Sequence, residues 1–262
     1  MAETFDVVIL GAGPGGYVSA IRAAQLGLKT ALVEKDKKLG GTCLHRGCIP
    51  TKALLYTAEL FNHIQHASKF GITVGNPVVD WVTAQKHKQK VVDKGAAGID
   101  FLMKKNKVTV IKGYGRISGK GKVDVDLSEG GKQSLQTKNI LLATGSIPKS
   151  LPNVTVDHKR VLNSDSILEL SVVPKSLIVL GAGAVGCEFA SLFHHLGSQV
   201  SLVEFMPQVL PIEDTDIGAE LEKQFKRRKI DVLTSTKLEK VEVTSTGVKV
   251  WATGPDGKQK TM

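Results

Sequence analysis

The pattern of apolar and polar positions along the chain predicts two strand–turn–helix–strand units. The apolar runs VVIL (7–10) and LIVL (177–180) are continuous, which is typical of parallel strands buried on both faces. Each run is followed by glycines and then by a helical stretch, about 15–26 and 185–196, that ends at Leu-Gly. A second apolar run follows each helix. The pattern therefore predicts an α/β protein with parallel sheets.

The two units are copies of one another. Residues 6–35 align without gaps on residues 176–205 at a constant offset of 170, and 11 of the 30 positions are identical. Each copy has a G-x-G-x-x-G turn between strand and helix, and a glutamate 18 positions after the third glycine. These shared residues are Gly11, Gly13, Gly16 and Glu34 in the first copy and Gly181, Gly183, Gly186 and Glu204 in the second.

This combination of residues is typical of dinucleotide-binding turns. The first glycine permits a tight turn, the second lets the backbone approach a pyrophosphate, and the third allows close helix–strand packing. The helix N-terminus offers free N–H groups to phosphates, and the distal glutamate accepts a hydrogen bond from the adenosine ribose. Each copy therefore predicts a dinucleotide site. Glu204 favours NAD over NADP in the second copy, because a 2′-phosphate would need a basic residue there.

The remaining sequence predicts helices, short strands and one domain boundary. An apolar strand leads into a Gly/Pro-rich exit, which separates a first domain at 1–148 from a second at 149–262. The end of the chain predicts a β-hairpin interrupted after its turn. The other expected elements are helices at 50–67, about 80–105 and about 214–228, and strands around 108–117 and 122–127.

Composition narrows the class of protein. The chain has 262 residues, 42% hydrophobic and 23% charged, as expected for one large or two ordinary globular domains. No apolar run is long enough to span a membrane, and no signal peptide precedes the first strand, so the cytoplasm is the expected compartment. The net charge of +10 comes in short lysine clusters beside acidic residues, which indicates solvated surface rather than a nucleic-acid interface. Three cysteines argue against a disulfide scaffold, and Cys187 is expected to pack within its helix.

The other two cysteines lie in the stretch GGTCLHRGCIPTK, at Cys43 and Cys48. Zinc would need four ligands, and a structural disulfide across so small a ring would add little stability. A redox role fits better, because Cys48 precedes a helix expected to start near Pro50, where the helix dipole lowers a thiol pKa. Lys52 lies one turn further along the same helix. A dithiol beside one dinucleotide site, in a chain with a second, implies an electron route between nicotinamide, flavin and disulfide.

Together these motifs resemble the flavin disulfide reductase family. The resemblance covers all 262 residues and rests on GAGPGG with Glu34, GGTCLHRGCIPTKALL, LLATGS, and GAGAVGCE with VEF. CIPTKALL and Glu204 are more similar to the branch that oxidises dihydrolipoyl groups than to glutathione or mercuric reductases. The resemblance implies two Rossmann-like dinucleotide-binding domains, residues 1–148 for FAD and the redox disulfide and residues 149–262 for NAD. It also implies that the family's C-terminal interface domain is missing from this chain.

The resemblance assigns a role to each matching residue. Cys43 would be the interchange thiol that reacts with lipoamide sulfur, and Cys48 the charge-transfer thiolate against the flavin. Lys52 would pair with Glu188 near flavin N5. On the flavin side the implied residues are Lys35, Gly41, Thr42 and Lys52, with Gly115 at the adenine through its backbone and Thr144, Gly145 and Ser146 closing over the FAD. The implied FAD pyrophosphate and ribose ligands are Gly11, Gly13, Gly16 and Glu34, and the implied NAD ligands are Gly181, Gly183, Gly186, Glu204 and Val241.

The resemblance also implies an activity and its partners. The enzyme would oxidise protein-bound dihydrolipoamide through the Cys43–Cys48 disulfide and FAD, and would pass the electrons to NAD⁺. Its partner would be the lipoyl domain of a 2-oxo acid dehydrogenase or glycine cleavage complex, and the full-length enzyme would be a homodimer, with no nucleic acid, membrane or metal. The family's acid–base His–Glu pair belongs to the interface domain, so little lipoamide turnover is expected from this chain alone.

Two alternatives stay open at this point. The chain could belong to a glutathione- or mercury-reducing member of the same family. It could also be a truncated nucleotide-binding module without lipoamide turnover.

Overall fold

The computed structural model describes residues 3–262, which form two compact units. One unit combines the residues up to 50 with 89–147, and the other combines 51–88 with 148–262. The break after residue 147 is one residue from the predicted domain boundary. Residues 51–88, however, group with the second unit and not with the first, because their apolar side chains pack into its core. Within the described residues no helix is long and apolar enough to cross a membrane.

The elements follow the predicted order. The first half of the chain contains β1 (Glu3–Leu10), α1 (Pro14–Gln25), β2 (Thr30–Glu34), α2 (Gly41–Arg46), α3 (Cys48–Gln65), α4 (Trp81–Lys105), β3 (Thr109–Gly119), β4 (Lys122–Leu127) and β5 (Lys132–Leu142). The second half contains β6 (Ser176–Leu180), α5 (Ala184–His195), β7 (Gln199–Val203), α6 (Thr215–Arg227), β8 (Asp231–Leu233), β9 (Lys237–Val243), β10 (Val248–Thr253) and β11 (Gln259–Thr261). Short 3₁₀ turns lie at Ala67–Phe70 and Ser166–Glu169.

The first unit is built on five strands that close into a ring. Strands β5, β1, β2 and β3 pair in parallel in that order, and β4 pairs antiparallel with both β3 and β5. Alternate residues of β1 face two different cores. Val7 and Ile9 pack in the cluster that includes Ala20 of α1, whereas Val8 and Leu10 pack in the cluster between the strands. This double burial explains why the VVIL run is apolar throughout.

The second unit contains two separate three-stranded sheets. Strands β6, β7 and β8 are parallel, and β9, β10 and β11 are antiparallel. Helix α5 contributes Phe189 and Phe193 to the core, and α3 contributes Leu54 and Ala58. The predicted hairpin is present, but it is not interrupted directly after its turn, since β11 pairs with β10 over three residues.

Helix α3 begins earlier than predicted. Its first residue is Cys48, and Pro50 is the third residue rather than the first. Proline is tolerated there because the first four N–H groups of a helix have no intrahelical partner. The cysteine therefore lies within the first turn of the helix rather than before it.

The two glycine turns have the same backbone geometry. The φ angles are 98° at Gly11 and 96° at Gly181, a region that favours glycine. At the third glycine of each motif, an added Cβ would lie 1.8 Å from the Gly11 carbonyl oxygen in one copy and 1.9 Å from the Gly181 oxygen in the other. The first turn of each helix therefore packs against the backbone of the first glycine, directly after the strand, so closely that no side chain fits between them.

This contact predicts that alanine substitution has different effects on stability at two adjacent glycines. We expect Gly16→Ala to lower the free energy of unfolding by about 1–3 kcal/mol or more, because its Cβ must displace the Gly11 carbonyl. Gly15→Ala is the matched control, since its Cβ would make an ordinary 3.7 Å contact with the Ala143 Cβ. Urea denaturation followed by circular dichroism measures both variants. Equal midpoints would contradict the packing argument.

Candidate functional site

The first glycine turn is enclosed by backbone from two other segments. A Cβ at Gly11 would lie 2.2 Å from the carbonyl oxygen of Ala143 and 3.2 Å from the Cα of Thr144, so the exit of β5 contacts the turn. On the other side, a Cβ at Gly41 would lie 2.5 Å from the Cα of Gly13. The structure thus brings together the predicted residues Gly11, Gly13, Gly41 and Thr144. A side chain at Gly11 or Gly41 would leave no room for these backbones to meet.

The amino ends of α1 and α5 are open to an anionic ligand. Each helix has 12 residues and a glycine N-cap, Gly13 or Gly183, without a side-chain capping bond. Neither helix carries an acidic residue in its first turn. Uncapped N–H groups and the positive end of the helix dipole suit a phosphate. Both turns therefore have the donor set that a pyrophosphate requires.

Glu34 is a buried carboxylate that holds the first turn in place. It is 6% exposed, and it accepts hydrogen bonds from the backbone N–H groups of Ala12 (2.6 Å) and Asp36 (2.8 Å). Glu204 is 7% exposed and makes the same two bonds, at 2.6 and 2.8 Å, with the residues at the offset of 170. An ionised carboxylate has further lone pairs, so a ribose hydroxyl can still be bound. The sequence did not predict that these glutamates hold the turns in place. Its only signal was that both copies have a glutamate at the same spacing.

The predicted cysteine pair is joined as a disulfide. Cys43 lies in α2 and Cys48 begins α3, and their Cα atoms are 4.6 Å apart, within the usual range for a disulfide. Cys43 is half-buried and Cys48 is exposed. Because α2 begins at Gly41, the disulfide lies on a segment that packs directly against the first glycine turn.

Lys52 and Glu188 form the predicted ion pair. The Lys52 Nζ lies 2.5 Å from the Glu188 Oε1, and the side chains are 58% and 29% exposed. Lys52 is on α3 and Glu188 on α5, both within the second compact unit. The role of the pair beside a flavin stays a prediction.

Gly115 has a packing reason to be glycine. It lies in β3, where an added Cβ would be 2.7 Å from the Leu10 Cδ2 and 3.1 Å from the Val33 Cγ1. The absence of a side chain thus allows β3 to approach β1 and β2 closely. Its predicted backbone contact with adenine stays a prediction.

The other predicted cofactor residues lie at the ends of strands or in loops. Lys35 directly follows β2 and is exposed, and Thr42 is exposed on α2. Residues 144–146 follow β5, with Gly145 at a φ of +74°. Val241 lies in β9, opposite Val250 of β10. The structure gives the location of each of these residues in the fold. Their contacts with ligands stay predictions.

Cys187 packs inside the second unit, as predicted. Its thiol donates a 3.3 Å hydrogen bond to the carbonyl of Ala182. Burial raises the pKa of the thiol to about 12, and the nearby Glu204 and Glu188 carboxylates act in the same direction. Such a thiol is unreactive at neutral pH. The residues described by the structure also include no group of three or more His, Cys, Asp or Glu arranged to hold a metal ion.

The two glycine turns and the adjacent disulfide are the features expected of a nucleotide-dependent disulfide oxidoreductase. Residues 5–261 match the family described as pyridine nucleotide-disulphide oxidoreductase, and the chain belongs to that family. Members of this family use FAD and NAD.

Named relatives agree with this assignment. The chain is 47% identical over 246 residues to a dihydrolipoyl dehydrogenase of Bacillus subtilis, covering 91% of this chain and 52% of the relative. It is 44% identical over 258 residues to one of Zymomonas mobilis, covering 98% and 55%. The crystal structure of LpdA from Mycobacterium tuberculosis superposes with a TM-score of 0.87 at 27% identity, covering 99% of this chain and 57% of that one. The chain spans about half the length of the curated relatives it matches.

The environments of the three cysteines predict how many thiols react in the oxidised, the reduced and the denatured chain. We expect the oxidised native chain to show no reactive thiol, since its only free cysteine is the buried Cys187. Mild reduction should expose two thiols, Cys43 and Cys48, and denaturation should expose the third. Cys187 should stay unreactive up to about pH 10 in the native protein, because its pKa is raised. Titration with a chromogenic disulfide reagent measures this, and a third native thiol would contradict it.

The exposure of the Lys52–Glu188 pair predicts that its contribution to stability is small. We expect Glu188→Gln to change the free energy of unfolding by less than about 1 kcal/mol, because a solvent-exposed ion pair is weak. The exposed Lys223–Glu220 pair is a comparison of the same kind, tested by Glu220→Gln. Urea denaturation measures both. A much larger loss for Glu188→Gln would show that the pair has a structural role.

Proposed function

We propose that this chain carries the cofactor-binding and redox part of a dihydrolipoyl dehydrogenase. FAD binds at the Gly11 turn, NAD binds at the Gly181 turn, and the Cys43–Cys48 disulfide accepts electrons from a dihydrolipoyl group. One observation carries the proposal: the segment with the disulfide packs against the first dinucleotide turn. The names of the relatives from Bacillus subtilis and Zymomonas mobilis support the choice of the dihydrolipoyl substrate over glutathione or mercuric ion.

The first chemical step is thiol–disulfide exchange. A thiolate of the dihydrolipoyl group attacks the Cys43 Sγ, the Cys43–Cys48 bond breaks, and Cys48 leaves as a thiolate. The second substrate thiolate then attacks the substrate sulfur of the mixed disulfide, which releases cyclic lipoyl disulfide and the Cys43 thiolate. Two electrons move from substrate to protein and two protons are released.

The position of Cys48 favours this residue as the one that remains a thiolate after the exchange. It is the first residue of α3, where the positive end of the helix dipole stabilises a negative charge. Lys52 lies one turn along the same helix and is paired with Glu188, so its charge is partly neutralised. The helix terminus therefore provides the main stabilisation.

The chain's residues fit both cofactors. FAD, when bound, supplies two-electron transfer between the reduced cysteine pair and NAD⁺. The uncapped amino end of α1 would bind its pyrophosphate, and Glu34 its ribose. Glu204 would bind the NAD ribose and repel a 2′-phosphate, which favours NAD over NADP.

The proposal extends to partners and compartment. The substrate would be the lipoyl domain of a 2-oxo acid dehydrogenase or glycine cleavage complex, and the full-length enzyme would act as a homodimer. The cytoplasm is the proposed location, with no nucleic acid or membrane partner. The names of the bacterial relatives support the dihydrolipoyl substrate, and the partners follow from it.

Separate cysteine variants of the FAD-loaded chain test the proposal. We expect dihydrolipoamide, but not glutathione, to reduce the disulfide of the parent chain and to produce a long-wavelength charge-transfer absorption band. Cys43→Ser should show this band without reductant, because it leaves the Cys48 thiolate beside the flavin, whereas Cys48→Ser should show none. Visible absorption spectra measure these outcomes.

Cys187→Ser is the matched control, since that thiol is buried and takes no part in the exchange. It should behave as the parent chain does. A colourless protein after incubation with FAD, or the same band in Cys48→Ser, would overturn the proposal.

A further inference from the structure

Phe205 is a large aromatic side chain left 68% exposed directly after Glu204. The backbone that carries it is held on both sides. The Glu204 N–H donates to the Leu233 carbonyl at 2.8 Å, and the Ser235 N–H donates to the Met206 carbonyl at 2.9 Å. Phe205 is therefore presented to solvent from an ordered segment rather than from a loose loop.

This segment lies where a parallel sheet binds its ligands. Residues 204–206 follow the carboxyl end of β7, and residues 234–236 follow that of β8. Ligands of open α/β sheets bind outside the carboxyl ends of the strands. In the proposed NAD site the pyrophosphate meets the amino end of α5 and the ribose meets Glu204. The adenine is attached to that ribose, so the residue that follows Glu204 would be placed beside it.

The repeat shows that this position differs between the two copies. At the offset of 170, Phe205 corresponds to Lys35, although the glutamates before them make the same backbone bonds. An aromatic ring can stack on a purine face, and a lysine cannot do so in the same way. By the same geometry, Lys35 would lie at the adenosine end of the first site rather than on the flavin side.

We infer that Phe205 is the stacking surface for the adenine of NAD in the second site. The inference rests on the proposed binding of NAD at the Gly181 turn and names how its adenosine end is recognised. Phe205 thus acts on affinity for the nucleotide and takes no part in electron transfer.

Binding to the chain saturated with FAD tests this inference, with AMP and NAD as probes in titration calorimetry. AMP carries the adenine and its ribose but no nicotinamide. We expect Phe205→Ala to weaken both probes about tenfold and by the same factor, and Phe205→Tyr to keep the affinity of the parent. Ile212→Ala is the control, since Ile212 is 91% exposed and lies only a few residues away in the same unit.

The outcomes separate this inference from the proposed function. If the parent chain binds neither probe, NAD binding at the second turn is wrong and the inference falls with it. If the parent binds both and Phe205→Ala binds them equally well, or loses affinity for NAD but not for AMP, only the stacking role is wrong. Circular dichroism confirms folding of each variant, and Phe205→Leu replaces Phe205→Ala if the latter is unfolded.

Discussion

Both halves of this structure depend on one hydrogen bond, from the backbone N–H of a glycine turn to a buried glutamate. In each copy the carboxylate at the end of the second strand accepts the N–H of the residue after the first glycine, at 2.6 Å. A buried carboxylate without partners would be costly, whereas one that accepts two backbone N–H groups is stabilised by charge-assisted bonds of about 1.5–3 kcal/mol each. The bond fixes the turn to the sheet. The N–H groups at the amino end of the helix are thereby held in a fixed orientation.

The position of the Cys43–Cys48 disulfide follows from the same turn. The backbone at Gly41 meets the backbone at Gly13 with no room for a side chain, so α2 starts at a fixed place beside the turn. Cys43 follows two residues later. Main-chain packing against a rigid element thus fixes the position of the disulfide. Reactive groups held in this way keep a defined geometry without relying on long, flexible side chains.

The sequence predicted the backbone of this structure better than its side-chain partners. The repeat predicted both glycine turns, the helices after them and the strands, because periodicity and glycine positions determine these locally. It did not predict that residues 51–88 group with the second unit, since an apolar helix face does not specify which core it will enter. The two hydrogen bonds that each glutamate accepts from backbone N–H groups were also missed, because no residue type identifies a backbone donor in the sequence. The Lys52–Glu188 pair followed only from the family resemblance, as the two residues are 136 positions apart.

The identical geometry of the two turns has an evolutionary consequence. The residues that hold each turn contact backbone and are the same in both copies, whereas the exposed residue after each glutamate, Lys35 or Phe205, differs. A duplicated unit of this kind can change its ligand through exposed side chains that lie outside the hydrogen bonds holding the turn. Two nucleotide specificities can therefore diverge from one ancestral scaffold while the hydrogen bonds that hold each turn stay the same.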